Sequence, residues 1–218
     1  MRLRHCLGFI VVFIALLAGC STATVETPSV TSTVDTANVT PEPIATPPHC
    51  NPPTVIPPTP PANIPGYAKL DETTNLHVTG TLPDIDLAEY RLKVTGKVAQ
   101  PLSLTYDELR CLPKQEVRAL LVCVGFFEDE ATWAGASLND VLDLAQVAPD
   151  ATALRLRSAD GYAGYVRLDA VRGNAHNLLA YEWEGEPLPA LHGFPIRAVF
   201  PDEEGREWVK WLVEIEVE

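Results

Sequence analysis

Cysteine is scarce in this chain, five residues in 218, and no Cys-x-x-Cys-His occurs, which excludes a covalently attached haem. Basic residues are outnumbered: 16 Lys and Arg stand against 29 Asp and Glu, a formal net charge of −13. A binder of nucleic acid needs the opposite balance, and so does a polybasic hold on anionic lipid, so both are excluded. No internal repeat is visible and no βαβ rhythm appears. The segments instead read as many strands with few helices, the pattern of a mixed, mainly β α+β domain.

The first nineteen residues read as a leader. Arg2 and Arg4 give a positive start, and "CLGFIVVFIALLA" is an apolar core too short to span a bilayer comfortably. That core ends in "LAGC", Leu17 to Cys20, which resembles the lipobox of bacterial lipoproteins. The resemblance implies cleavage before Cys20, lipidation of its thiol and an extracytoplasmic chain anchored to a bacterial membrane. An ordinary secretory leader with an incidental cysteine is the alternative. Residues 20–65 hold most of the twenty prolines, as in "TPEPIATPPHCNPPTVIPPTPPANIP". Proline fixes φ and removes amide donors, so this stretch predicts an extended, partly stiff tether. Residues 66–218 remain, a sufficient length for one domain with a sizeable core. Losing Arg2 and Arg4 with the leader would leave −15, from 14 basic residues against 29 acidic.

Cys6 leaves with the leader and Cys20 goes to lipid, so three thiols remain: Cys50, Cys111 and Cys123. In an oxidising compartment Cys50 and Cys111 are open to pairing, and at least one thiol is left over.

Along the domain, "YRLKVTGKV" alternates with the period of a half-buried strand. "SLTYDELRCLP" offers Thr105 and Glu108 as a capping box for one short helical turn that Pro113 stops. "QEVRALLVC" predicts a strand that delivers Cys123 at its end, followed by an acidic turn. "SLNDVLDLAQVA" places Leu138, Val141, Leu142 and Ala145 on one helical face behind the cap Ser137. "ATALRLRS", "GYVRLDA" and "NLLAYEWEG" read as strands broken by turns. The final "EWVKWLVEIEVE" predicts an antiparallel strand with Val209, Trp211, Val213, Ile215 and Val217 on one face and Lys210, Glu214 and Glu216 on a wet one.

Several of these stretches, in order, resemble the molybdopterin-binding domain of the sulfite oxidase family. The resemblance begins with "YRLKVTGKVAQPLSLTYDEL" and runs through "LLVCVG", "WAGASLNDVL" and "SADGYAGYVRLDA". It continues in "LLAYEWEGEPLPALHGFPIRAVFP" and "VKWLVEIEV". His-Gly-x-Pro-x-Arg, with Val-Lys-Trp-Leu placing its lysine thirteen residues after that arginine, is the most specific part. The resemblance implies a molybdenum–molybdopterin cofactor (Moco), with Cys123 as the thiolate that ligates the metal. A soft thiolate at a strand end beside glycine suits that role; a small buried hydrophobe is the bland reading.

The resemblance also implies that Asp160, His192, Arg197 and the run Trp208, Val209 and Lys210 hold the cofactor. Arg197 and Lys210 suit its phosphate and Asp160 its N–H groups. Each has an ordinary alternative: a turn for Asp160, a backbone carbonyl for His192, solvent for Lys210, packing for the tryptophan. Asn75 and His77 fall where the family places an N-terminal cofactor contact. Glu128 and Asp129 are candidate proton carriers near the metal, or simply solvated loop acids.

Three departures shape the expected function. Where sulfite-oxidising relatives carry an arginine after the metal cysteine, this sequence has "FFEDE", whose carboxylates would repel a sulfite dianion. The sequence ends after its last strand without the immunoglobulin-like dimerisation domain of sulfite oxidases, so a monomer is expected, exchanging electrons with a separate partner. The leader has Arg2-Leu3-Arg4 where a twin-arginine signal, used to export cofactor-loaded proteins, needs adjacent arginines. The expectation is an oxygen-atom-transferring oxidoreductase acting on a small substrate other than sulfite. A cofactor-free lipoprotein that keeps the fold as a binding module, or a stalked adhesion domain, is the alternative.

Overall fold

The computed structural model describes residues 49–218; the leader, Cys20 and the tether up to residue 48 lie outside the described residues. In chain order the strands are β1 (Lys69–Asp71), β2 (Leu76–Val78), β3 (Leu92–Gly96), β4 (Leu102–Leu104), β5 (Lys114–Cys123) and β6 (Phe127–Ser137). They continue as β7 (Ala153–Ser158), β8 (Ala163–Arg167), β9 (Leu178–Trp183), β10 (Glu186–Pro187), β11 (Arg197–Val199) and β12 (Leu212–Val217). Three short helices, α1 (Tyr106–Arg110), α2 (Leu138–Leu144) and α3 (Leu168–Gly173), interrupt them. The fold is α+β, with mixed sheets and few helices.

Two five-stranded sheets and one hairpin organise the described residues. One sheet runs β4-β3-β12-β7-β8, the other β10-β9-β6-β5 with β11 paired to β9, and β1 and β2 form the hairpin. Their apolar faces share one core: Leu92, Val94, Leu154, Leu156 and Ile215 come from the first sheet, Trp133, Ala136, Leu179 and Ala198 from the second. Period-2 patterning places the residues of the first sheet inward, whereas Trp133 and Ala136, three apart in β6, face opposite ways from a strand end that is buried on both sides.

Local signals behave as their chemistry requires. Thr105 and Glu108 form a reciprocal capping box at α1, and the Ser137 side chain accepts from the Asp140 amide at α2. Cys50 and Cys111 are joined in a disulfide, and Cys123 is the free thiol among the described residues. The bond fastens residue 50 to the C-terminal end of α1, and Val55 packs against the core.

Three expectations are corrected. "GYVRLDA" is a strand only to Arg167, and Leu168 starts α3. The acidic turn after Cys123 is the start of β6, because the reversal is made by Val124, Gly125 and Phe126 alone. Gly125 has φ +80°, a conformation that side chains resist. The final strand begins at Leu212, three residues later than Val209. It is parallel to β3 as well as antiparallel to β7, so both its edges are paired. Before it, Trp211 takes φ +50°, which breaks the alternation and turns Lys210 into the protein; within the strand the register with β7 slips between Leu212 and Glu214. Lys210 is therefore buried, where a wet face was expected.

Candidate active site

Ala119 and Leu121 are buried on the inward face of β5, and Cys123, two residues on, continues that face at the strand end. There it lines a cavity of about 290 Å³. The tight turn sends the chain straight back as β6, whose alternation points Asp129 inward, 5% exposed, and Glu128 outward. Asp129 lines the cavity and Glu128 does not. A single strand thus separates the two carboxylates that the sequence places side by side.

Asp129 is held by the hairpin. Its Oδ2 accepts from the His77 amide at 2.8 Å and its Oδ1 lies 2.6 Å from His77 Nδ1, while the His77 ring stacks on Phe127 with centroids 4.4 Å apart. Burial, and then the Asp129 carboxylate, push the Cys123 thiol above its ordinary value.

The opposite wall is cationic. Arg197, at the start of β11, is buried, with its guanidinium over the rings of Trp133 (4.7 Å) and Trp208 (5.8 Å). Its Nη1 donates to the His192 carbonyl at 3.2 Å, but its Nε is buried without any partner. Lys210 Nζ donates to the carbonyls of Thr79 and, at 2.9 Å, Leu191. Among the described residues neither cation has a carboxylate within 4.0 Å. Burial pulls Arg197 down to about 10. It pulls Lys210 down to about 7, with the Arg197 charge adding to the effect and Asp160 opposing it.

Asp160 borders the same cavity from the turn between β7 and β8. Burial alone would raise its pKa, but hydrogen bonds with Ser158 and from the Tyr162 and Thr81 amides outweigh that and leave it below the ordinary value. It is an ionised acceptor.

Of the residues singled out from sequence, Cys123, Asp129, His77, Asp160, Arg197, Trp208, Val209 and Lys210 converge on this cavity. Three do not. Glu128 faces out. Asn75 is exposed at the hairpin turn, with φ +59° and its amide bonded to the Asp71 carbonyl. His192 is 1% exposed behind the wall, with Nε2 at 2.9 Å from Thr74 Oγ1 and 3.1 Å from Asp71 Oδ2. Burial lowers its pKa to about 4, the Asp71 hydrogen bond opposing, so the ring is neutral near pH 7.

Sequence reasoning missed Tyr67, Thr79, Gly80, Ser158, Tyr162 and Arg206, which also border the cavity. They come from segments far apart in the chain. Only Gly80, just past a strand, carried a local hint of close backbone approach.

A buried guanidinium with a free N–H and a buried ammonium, neither in an ion pair among the described residues, call for an anion. An ionised acceptor and a free thiol share the same cavity. This donor set fits a cofactor that joins a phosphate, N–H donors and a thiophilic metal.

Comparisons with known proteins agree. The family model described as "Oxidoreductase molybdopterin binding domain" matches residues 79–218. Mitochondrial sulfite oxidase of Rattus norvegicus is 35% identical over 173 residues, covering 63% of this chain and 30% of that protein. An uncharacterized oxidoreductase of Bacillus subtilis, YuiH, is 32% identical over 136 residues, covering 62% of this chain and 68% of its own length. Among solved structures, the sulfane dehydrogenase SoxCD from Paracoccus pantotrophus superimposes with a TM-score of 0.58 at 26% identity, over 62% of this chain and 40% of that one. This chain therefore spans about a third of the mitochondrial sulfite oxidases it matches.

Proposed function

The chain belongs to the oxidoreductase molybdopterin-binding domain family, and from that premise we propose a molybdenum-cofactor oxidoreductase that moves an oxygen atom to or from a small substrate other than sulfite. It would work outside the cytoplasm as a monomer, tethered to a bacterial membrane through Cys20, and exchange electrons with a separate partner protein. The observation that carries the cofactor reading is the buried pair Arg197 and Lys210, neither within 4.0 Å of a carboxylate among the described residues, in one cavity with the free thiol of Cys123.

Cys123 would ligate the metal, giving up its proton to do so. Arg197 and Lys210 would receive the phosphate, Asp160 would accept from the pterin N–H groups, and Trp208 and Val209 would wall the site. Bound there, the cofactor supplies two-electron oxygen-atom chemistry. The chain's own residues do the rest. Asp129, kept in place by His77, puts a carboxylate on the thiol side of the cavity, which disfavours an anionic substrate. Arg206 is offset at the rim by Glu204 and Glu207, at 3.4 and 2.9 Å. Metal analysis of the full chain, purified from a host that makes molybdopterin, tests the reading. About one molybdenum per chain is expected, and a folded protein containing none would sink it.

Lys210 makes the phosphate subsite pH-dependent. An anion favours the protonated amine, and this lysine titrates at about 7. Affinity of the cofactor-free chain for sulfate, whose own charge does not change in this range, is therefore expected to fall between about pH 6 and about pH 8, measured by calorimetry. Without an anion the sign reverses. The fold penalises the charged lysine, so this group's contribution to stability rises as pH increases from about 7 towards the ordinary 10.5. For the anchor, Cys20→Ala is expected to move the protein from the membrane fraction to the soluble one; retention on the membrane would contradict lipidation.

A further inference from the structure

The two cavity cations are held by one short turn. Ala190–His192 forms a single 3-10 turn, and its three carbonyls accept in succession from the cavity wall. Ala190 accepts from Trp211 Nε1 at 2.8 Å, Leu191 from Lys210 Nζ at 2.9 Å and His192 from Arg197 Nη1 at 3.2 Å. Gly193 closes the turn at φ +120°, where an added Cβ would come within 3.0 Å of the Arg197 Cβ and 3.3 Å of Lys210. The turn and both cationic side chains are packed without slack, so its orientation sets where the charges lie.

That orientation is fixed from outside the segment the family model matches. The ring of His192 reaches away from the cavity to the β1–β2 hairpin, to Asp71 and Thr74. Asp71 is 5% exposed. Its Oδ1 accepts from the Thr73 amide (3.0 Å) and hydroxyl (2.7 Å), its Oδ2 from the Thr74 hydroxyl (3.0 Å). An ionised carboxylate only accepts, so the imidazole presents Nε2–H to it. The groups around the ring are thus Asp71 and Thr74 on one side and the cations Arg197 and Lys210 on the other.

We infer that Asp71 is a positioning residue: through the His192 ring it orients the Ala190–His192 turn, whose carbonyls aim Arg197 and Lys210 at the anion they bind. In this role His192 acts through its backbone carbonyl and its anchored ring. This rests on the reading of the Arg197–Lys210 pair as a phosphate subsite. Outer residues that orient ligating groups typically contribute 10- to 100-fold in affinity, and about tenfold is expected here.

The test uses the full cofactor-free chain, with inorganic pyrophosphate as the probe in calorimetry and a melting curve for each variant. Asp71→Asn and His192→Leu are expected to weaken pyrophosphate binding about tenfold while remaining folded. His192→Gln, whose amide can present a donor near the place of Nε2, is expected to restore most of the affinity. A packing role predicts the reverse, with leucine tolerated and glutamine no better. Wild-type affinity in folded Asp71→Asn and His192→Leu would overturn the positioning role alone. Failure of the wild-type chain to bind pyrophosphate would overturn the phosphate subsite, and the positioning role with it. If Asp71→Asn does not fold, the comparison of His192→Leu with His192→Gln decides.

Discussion

Cys123→Ser is expected to empty the protein of molybdenum: from about one equivalent per chain to below the detection limit, in material from a molybdopterin-producing host. Serine cannot supply the soft thiolate that the metal requires. The same substitution is expected to leave the fold intact. Cys123 is only partly buried, at a strand end beside an exposed turn, and its thiol is outside the disulfide. A melting temperature close to wild type is therefore expected alongside the metal loss. Full molybdenum in Cys123→Ser would remove the cysteine from the site.

Arg197→Met is expected to act in opposite directions on stability and on binding. Without an anion Arg197 is a buried charge that has no carboxylate partner and one unsatisfied N–H. Methionine fills similar volume and keeps contact with Trp133 and Trp208, so the desolvation cost disappears and the packing remains. The cofactor-free variant is expected to be more stable by about 1 to 2 kcal/mol, read as a melting temperature raised by several degrees. Pyrophosphate affinity is expected to fall about 100-fold, the usual consequence of removing a buried charge partner from an anion. A variant less stable without the anion would mean that the Asp129 charge and the two indole rings compensate the guanidinium by more than its burial costs.

The two results together describe a site that carries a stability cost for its ligand. Arg197 and Lys210 are both shifted downward by burial, and neither shift helps the empty fold. Folded chains retain such groups where a function uses them. The disulfide between Cys50 and Cys111 works in the other direction: it closes a long stretch of chain, which restricts the unfolded ensemble.

Much of the fold was legible in one dimension because its signals are local. The capping box at Thr105 and Glu108 needs residues three apart, the β3 alternation needs residues two apart, and both stand as read. Ordered motifs carried the family, since His-Gly-x-Pro-x-Arg and Val-Lys-Trp-Leu keep their residue types whatever surrounds them. Counting left at least one thiol over, and the disulfide between Cys50 and Cys111 makes it Cys123 among the described residues.

What only the tertiary structure decided was direction and environment. Whether Glu128 or Asp129 faces the cavity depends on a one-residue difference in where the turn after Cys123 ends. Composition is blind to that, and only the β6 register resolves it. Lys210 looked like the wet side of a strand, yet a single left-handed residue at Trp211 rotates it into a buried wall. His192 carries the family's motif, but its ring is claimed by Asp71, 121 residues away in the chain. Such a contact depends on the packing of the hairpin against the 3-10 turn, and no spacing rule encodes it. The sequence by itself determined which chemical groups are available and in what order; the tertiary structure determined which of them meet, because burial and hydrogen bonding act between segments that the chain keeps far apart.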